Sequence, residues 1–171
     1  MKGIFSVLVE NQAGVLSKTA GLFARRGYNI DSLAVGETDN HEISNMTIVS
    51  TGDARVIDQI EKQLNKKVDV IKVRRLKELQ SVCRELLMIK VSYNNTTRKD
   101  IMEVCMIMNA KVSHVSTKSM IVELEASPDI IESFIKIVQP FGIIEMARTG
   151  VIALQTVSYT HLRAHETGAY L

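Results

Sequence analysis

One order of elements runs twice through these 171 residues, and that repeat restricts the fold more than any other feature. An apolar run, Ile4 to Val9, reads as a strand. Val15 to Arg26 follows, with Val15, Leu16, Thr19, Ala20, Leu22 and Phe23 along one helical face. Arg25, Arg26 and Gly27 form a basic last turn closed by glycine, a helix stop. Ile30 to Gly36 and Ile43 to Ser50 read as strands joined by the polar loop ETDNHE. A second helix starts behind Gly52-Asp53 with Val56, Ile57, Ile60 and Leu64 on its apolar face, and Val68 to Val73 alternates as a closing strand.

The second pass has the same order. Leu86 to Ser92 is a strand, and Ile101, Val104, Cys105 and Met108 mark a helix. Lys111 to Thr117 and Met120 to Glu125 are strands, and Ser127-Pro128-Asp129 starts a helix carrying Ile131, Phe134, Ile135 and Val138. Ile143 to Ala147 and Val151 to Leu154 are the last strands. The fold class is therefore α+β, two tandem ferredoxin-like βαββαβ sandwiches. The expected domains are 1–75 and 86–155, with the charged stretch at 76–85, inside RRLKELQSVCRE, as a linker. The tail, 156–171, breaks with this pattern and reads as non-native, adapter-like sequence. Its His161 and His165 are not taken as a metal pair.

Composition excludes several classes. The hydrophobic fraction of 46% and charged fraction of 23% are those of an ordinary globular chain. Lys+Arg at 21 against Asp+Glu at 19, interspersed, implies no nucleic-acid or membrane partner. Cys83 and Cys105 form neither a zinc site nor a disulfide framework and are expected reduced. No run reaches the roughly 18 to 20 apolar residues of a membrane span. MKGIFSVLVEN lacks the core and cleavage site of a signal peptide, so a cytoplasmic location is expected.

Catalysis requires a nucleophile, base or metal in a convergent cluster, and none is recognisable. His41 sits in an acidic polar loop and His114 in a strand, neither beside a cysteine. Met102, Met106 and Met108 read as adaptable core filling or a contact surface. RNA-binding domains share the βαββαβ order, with Phe5 as a base-stacking candidate here, but the ISNMTIVS strand offers neither aromatic nor basic residues for stacking. An acylphosphatase-like enzyme would need arginine in a phosphate-cradling first turn, where this chain has Glu10.

The informative short feature is ENQAGVL, Glu10 to Leu16, where the first strand turns into the first helix. A helix N-terminus presents unpaired N–H groups and partial positive charge, which favour a carboxylate. Gly14 clears the approach to that backbone, and Asn11 brings an amide donor and an acceptor. A plain structural role, with Asn11 capping the helix and Gly14 relieving a tight turn, accounts for the same residues.

VLVENQAGVLSKTAGLFARRGYNIDSLAVG, followed by MTIVSTGD, IEKQLNKKVDVIKV and EMARTGVIAL, resembles the small regulatory subunits of acetolactate synthase, whose first domain is an ACT domain. The resemblance covers about 1–155. It implies a protein without chemistry of its own that activates a large catalytic subunit and confers feedback inhibition by valine in branched-chain amino-acid biosynthesis. Thiamine diphosphate, Mg and FAD would belong to that partner, with no cofactor in this chain. It also implies a homodimer through the ACT domains, with valine between them. Backbone N–H groups of Gly14, Val15 and Leu16 would take the carboxylate, Asn11 would add a hydrogen bond, and Asn29 and Ile30 of the neighbouring subunit would close the site. The second unit, with SYNNTTRKD in place of NQAG, would carry no effector site; Asn94 and Asn95 could cap its helix. Arg148-Thr149-Gly150 reads as a turn or a large-subunit contact. The alternative function is a stand-alone amino-acid-sensing ACT regulator.

Overall fold

β1 (Lys2–Glu10) alternates between buried and partly exposed residues, and its inward set, Phe5, Val7 and Val9, is the middle of the first core. The computed structural model describes residues 1–157; most of the tail, with His161 and His165, lies outside the described residues. Two units emerge, Met1–Val82 together with the described residues from Ala153 onward, and Cys83–Ile152.

In the first unit β1 is followed by α1 (Val15–Arg26), β2 (Ser32–Glu37), β3 (Ile43–Thr51), α2 (Ala54–Asn65) and β4 (Val70–Leu76). The four strands form an antiparallel sheet in the order β2-β3-β1-β4, with Phe5 opposite Ile48 and Val7 opposite Met46. Both helices lie against that face: α1 buries Val15, Thr19, Leu22 and Phe23, and α2 buries Ile57, Ile60 and Leu64. Each large apolar side chain buried there contributes about 1.5 to 3 kcal/mol. Phe5, fully buried, points into this core and is no base-stacking platform.

Local chemistry sets the helix ends. Gly27 adopts φ 67°, and the Tyr28 N–H returns to Phe23 O at 3.0 Å, satisfying a terminal carbonyl of α1. Tyr28 then packs edge-on against Phe23, ring centroids 6.4 Å apart. Asp53 caps α2 by accepting from the Val56 N–H at 2.8 Å. Leu16 departs from expectation. It is 45% exposed, because the buried stripe runs through Val15, Thr19, Leu22 and Phe23, and Leu16 stands about 100° round the helix from Val15.

The second unit contains β5 (Ser81–Ser92) from Cys83 on, α3 (Thr97–Ile107), β6 (Lys111–Val115), β7 (Ser119–Ala126), α4 (Pro128–Val138) and β8 (Ile143–Arg148), and β9 (Ile152–Gln155), which follows, falls mostly among the residues grouped with the first unit. The sheet order is β6-β7-β5-β8, and β9 also pairs with β5. Leu87, Ile89 and Val91 meet Ile101 and Cys105 of α3 and Ile131, Phe134 and Val138 of α4 in one core. Ser127 occupies the N-cap position of α4 with Pro128 at its start, as expected, but its side chain makes no capping bond.

The stretch expected as a linker, 76–85, is largely ordered strand. β4 runs to Leu76, a single 3-10 turn spans Glu78–Gln80, and β5 begins at Ser81. Charge concealed the alternation: Arg84, Leu86 and Met88 are exposed while Glu85, Leu87 and Ile89 are buried, a period of two running through a polar segment. β4 itself starts at Val70, not Val68, because a turn closed by Val70 N–H to Lys67 O leaves Val68 94% exposed.

Candidate functional site

The turn between β1 and α1 is held from three sides. Glu10 N–H donates to Asp69 O at 2.9 Å, Asn11 N–H to Glu42 O at 2.7 Å, and Gln12 N–H to Glu10 O at 3.0 Å. Gly14 then takes φ 87° and ψ −10° at the N-cap of α1, a left-handed conformation that costs other residues roughly 1 to 2 kcal/mol. A Cβ there would meet no atom within 4 Å. Glycine is thus demanded by the backbone angle, and the space in front of it is open.

No side chain caps α1, and its first turn contains no acidic residue. Lys18 N–H donates to Gly14 O at 2.9 Å, while Val15 N–H makes only a long 3.4 Å bond to Gln12 O. Among the described residues no acceptor meets the N–H of Leu16 or Ser17. The end of α1 therefore keeps the unpaired donors and partial positive charge that attract a carboxylate. Val15, 4% exposed, anchors the turn to the core, and Leu16 stands out beside it.

Asn11 does not cap the helix. Its Nδ2 donates to Glu37 Oε1 at 3.1 Å and to the His41 carbonyl at 2.8 Å, and His41 Nδ1 meets Glu37 Oε2 at 2.9 Å. The capping role weighed for Asn11 is overturned, because Gly14 holds the N-cap position and no N–H of α1 donates to the Asn11 side-chain oxygen, while its two donors go to Glu37 at the end of β2 and to the loop that follows. These loop partners were missed from sequence. Their signal is the register that sets Glu10 opposite Ile43 and so brings the loop beside the turn.

Asn29 and Ile30 lie beyond the other end of α1. Asn29 Nδ2 donates to Asp31 Oδ1 at 2.6 Å, its carbonyl accepts from Ser50 Oγ at 2.6 Å, and Ile30 packs on the first core. Twelve residues of helix, about 18 Å, separate them from Gly14. One chain thus brings Asn11, Gly14, Val15 and Leu16 together but not Asn29 and Ile30.

The corresponding turn of the second unit is built the opposite way. Asn94 Oδ1 accepts from the N–H groups of Thr96 at 2.9 Å and Thr97 at 2.8 Å, and Thr97 Oγ1 accepts from Asn94 N–H at 3.0 Å. This reciprocal cap satisfies the first N–H groups of α3 with the protein's own atoms. Asn94 thus caps as expected.

Arg148 is no turn residue. It ends β8 and binds Glu85 through two hydrogen bonds, Nε to Oε1 at 2.8 Å and Nη2 to Oε2 at 2.9 Å, with Nη1 reaching Glu132 Oε1 at 2.6 Å. The Glu85 bonds chiefly push its pKa still further up, so it stays charged throughout. It ties β8 to β5 and α4. Among the described residues no group of three His, Cys, Asp or Glu could hold a metal ion, and no helix is long and apolar enough to cross a membrane.

Tandem ferredoxin-like units, with an open glycine-bearing helix start in the first alone, define the class of ACT-type proteins. Residues 5–72 match the model of the AHAS small subunit-like ACT domain, and residues 84–157 that of the small subunit of acetolactate synthase. The chain is 45% identical over 149 residues to the acetolactate synthase small subunit of Mycolicibacterium smegmatis, covering 87% of this chain and 88% of that one. It is 46% identical over 154 residues to a probable acetolactate synthase small subunit of Archaeoglobus fulgidus, covering 90% and 96%. The crystal structure of the acetolactate synthase small subunit from Thermotoga maritima superposes with a TM-score of 0.84 at 36% identity, over 92% of this chain and 99% of that one. The chain belongs to the acetolactate synthase small-subunit family.

Proposed function

We propose that this chain is a non-catalytic regulatory subunit that binds the large catalytic subunit of acetolactate synthase, raises its activity and makes it inhibitable by valine. On this reading thiamine diphosphate, magnesium and flavin sit on the large subunit, and the assembly works in the cytoplasm. Valine lies between the ACT domains of two copies. Its carboxylate meets the N–H groups of Gly14, Val15 and Leu16, Asn11 adds a hydrogen bond, and Asn29 and Ile30 of the second copy close the site.

The observation that carries this reading is the contrast between the two helix starts: α1 is uncapped and glycine-opened, whereas Asn94 caps α3. Magnitudes support an interface site. The helix end contributes roughly 0.3 to 1 kcal/mol, ~2 at most when partly buried. The isopropyl group adds about 2 kcal/mol. Micromolar binding needs roughly 8 kcal/mol, so a second surface must supply the rest. The second unit serves subunit contact, a role supported by the outer face of α3, where Met102, Met106 and Ile107 are exposed beside Arg98 and Lys99.

Co-purification with the large subunit, with acetolactate formation assayed with and without valine, tests the proposal. Activation that valine reverses is expected. Pyruvate turnover by this chain alone, or failure to associate, overturns it.

A further inference from the structure

Asn11 has two amide hydrogens, and both are spent inside the protein, on Glu37 Oε1 at 3.1 Å and the His41 carbonyl at 2.8 Å. No described residue donates to its Oδ1. The Glu37 carboxylate is itself held, because its other oxygen meets His41 Nδ1 at 2.9 Å. We propose that Glu37 is a positioning residue that locks the Asn11 amide as an acceptor, so that the turn selects a ligand bringing an N–H donor, the α-ammonium of an amino acid, over the 2-oxo acid of the same shape. The inference rests on the effector reading of the turn. A 2-oxo acid shares the carboxylate and side chain of its amino acid, so the uncapped end of α1 cannot tell them apart. It does, however, set a carbonyl lone pair where the ammonium proton would sit, against an Asn11 oxygen that cannot turn away without breaking the bonds to Glu37 and His41. Discrimination thus comes from rejecting the wrong partner as much as from binding the right one.

Calorimetry of the full chain with L-valine and its 2-oxo analogue tests this. The wild type is expected to bind the oxo acid at least about tenfold more weakly, the consequence of facing an acceptor with an acceptor. Glu37→Ala frees the amide to rotate and should weaken valine roughly tenfold. Glu37→Gln should return within about threefold of wild type, since its amide oxygen accepts from Asn11 and its NH2 donates to His41 Nδ1. Equal binding of the two ligands by the wild type, full-strength valine binding by Glu37→Ala, or failure of Glu37→Gln to rescue each overturns the inference. Gly14→Asp separates this from the underlying reading. Valine retained by Gly14→Asp, or not bound by the wild type, defeats the effector reading, whereas valine lost by Gly14→Asp but kept by Glu37→Ala defeats only the role of Glu37. Comparing the two ligands on the wild type needs no variant to fold.

Discussion

Arg148 grips the Glu85 carboxylate through two parallel hydrogen bonds of 2.8 and 2.9 Å across 63 residues of chain, and Glu85 is only 3% exposed. Paired charges of this kind are costly to break, because the partner left behind is buried and uncompensated. Arg148→Met should destabilise the chain by about 3 kcal/mol, the lower end for a buried pair because the arginine is partly solvated. The double variant Arg148→Met with Glu85→Leu should recover most of that loss. Denaturant midpoints check both, and an unchanged midpoint in the single variant would remove the pair's structural role.

Gly14→Asp places a side chain and a negative charge where the effector carboxylate is proposed to sit. The chain's left-handed backbone at this position adds strain of roughly 1 to 2 kcal/mol. The expected phenotype is a complex that assembles with the large subunit and forms acetolactate but no longer responds to valine. Asn29→Ala should weaken valine binding by about 1 to 3 kcal/mol, the usual cost of an unsatisfied polar partner. Full valine sensitivity in an assembled Gly14→Asp complex would move the site elsewhere.

A pocket fitted to an isopropyl group should favour valine over alanine by roughly 1.6 kcal/mol, two carbons' worth of burial, and over leucine by about 1 to 3 kcal/mol if the extra methylene is crowded. Titration calorimetry with the three amino acids measures this order. Leucine binding as tightly as valine would refute the assigned pocket size.

Asn94→Ala removes the side chain that caps α3. It should lower stability by about 1 kcal/mol and leave the valine response untouched, because the second unit's turn is already satisfied by its own residues. A thermal melt alongside the inhibition assay reads both, and a lost valine response in a folded variant would show that the second unit also shapes the effector site.

Burial raises the Cys105 thiol above its ordinary value of 9.0. The unfolded chain therefore loses this proton at a lower pH than the folded one, so stability is fully present below pH 9.0 and declines as pH rises toward the folded value. Cys105→Ala should flatten that alkaline decline relative to wild type while lowering stability at neutral pH through lost packing. Parallel alkaline slopes in the two proteins would argue against ionisation of this thiol.

The sequence by itself determined the repeated βαββαβ order, the bounds of α1 from Val15 to Arg26, its stop at Gly27, and the special character of Gly14. Each of these is local: periodicity of two or 3.6 residues and the backbone freedom of glycine are written within a few positions. Only the tertiary structure decided that Asn11 serves the β2–β3 loop and not the helix, since that depends on strand register, with Glu10 opposite Ile43. It also decided that 76–85 is largely strand and that Glu85 is buried against Arg148, where the charged composition reads as a linker. Register and ion pairing join residues tens of positions apart, and no short-range pattern of side chains specifies which distant partner a charged or amide group will meet.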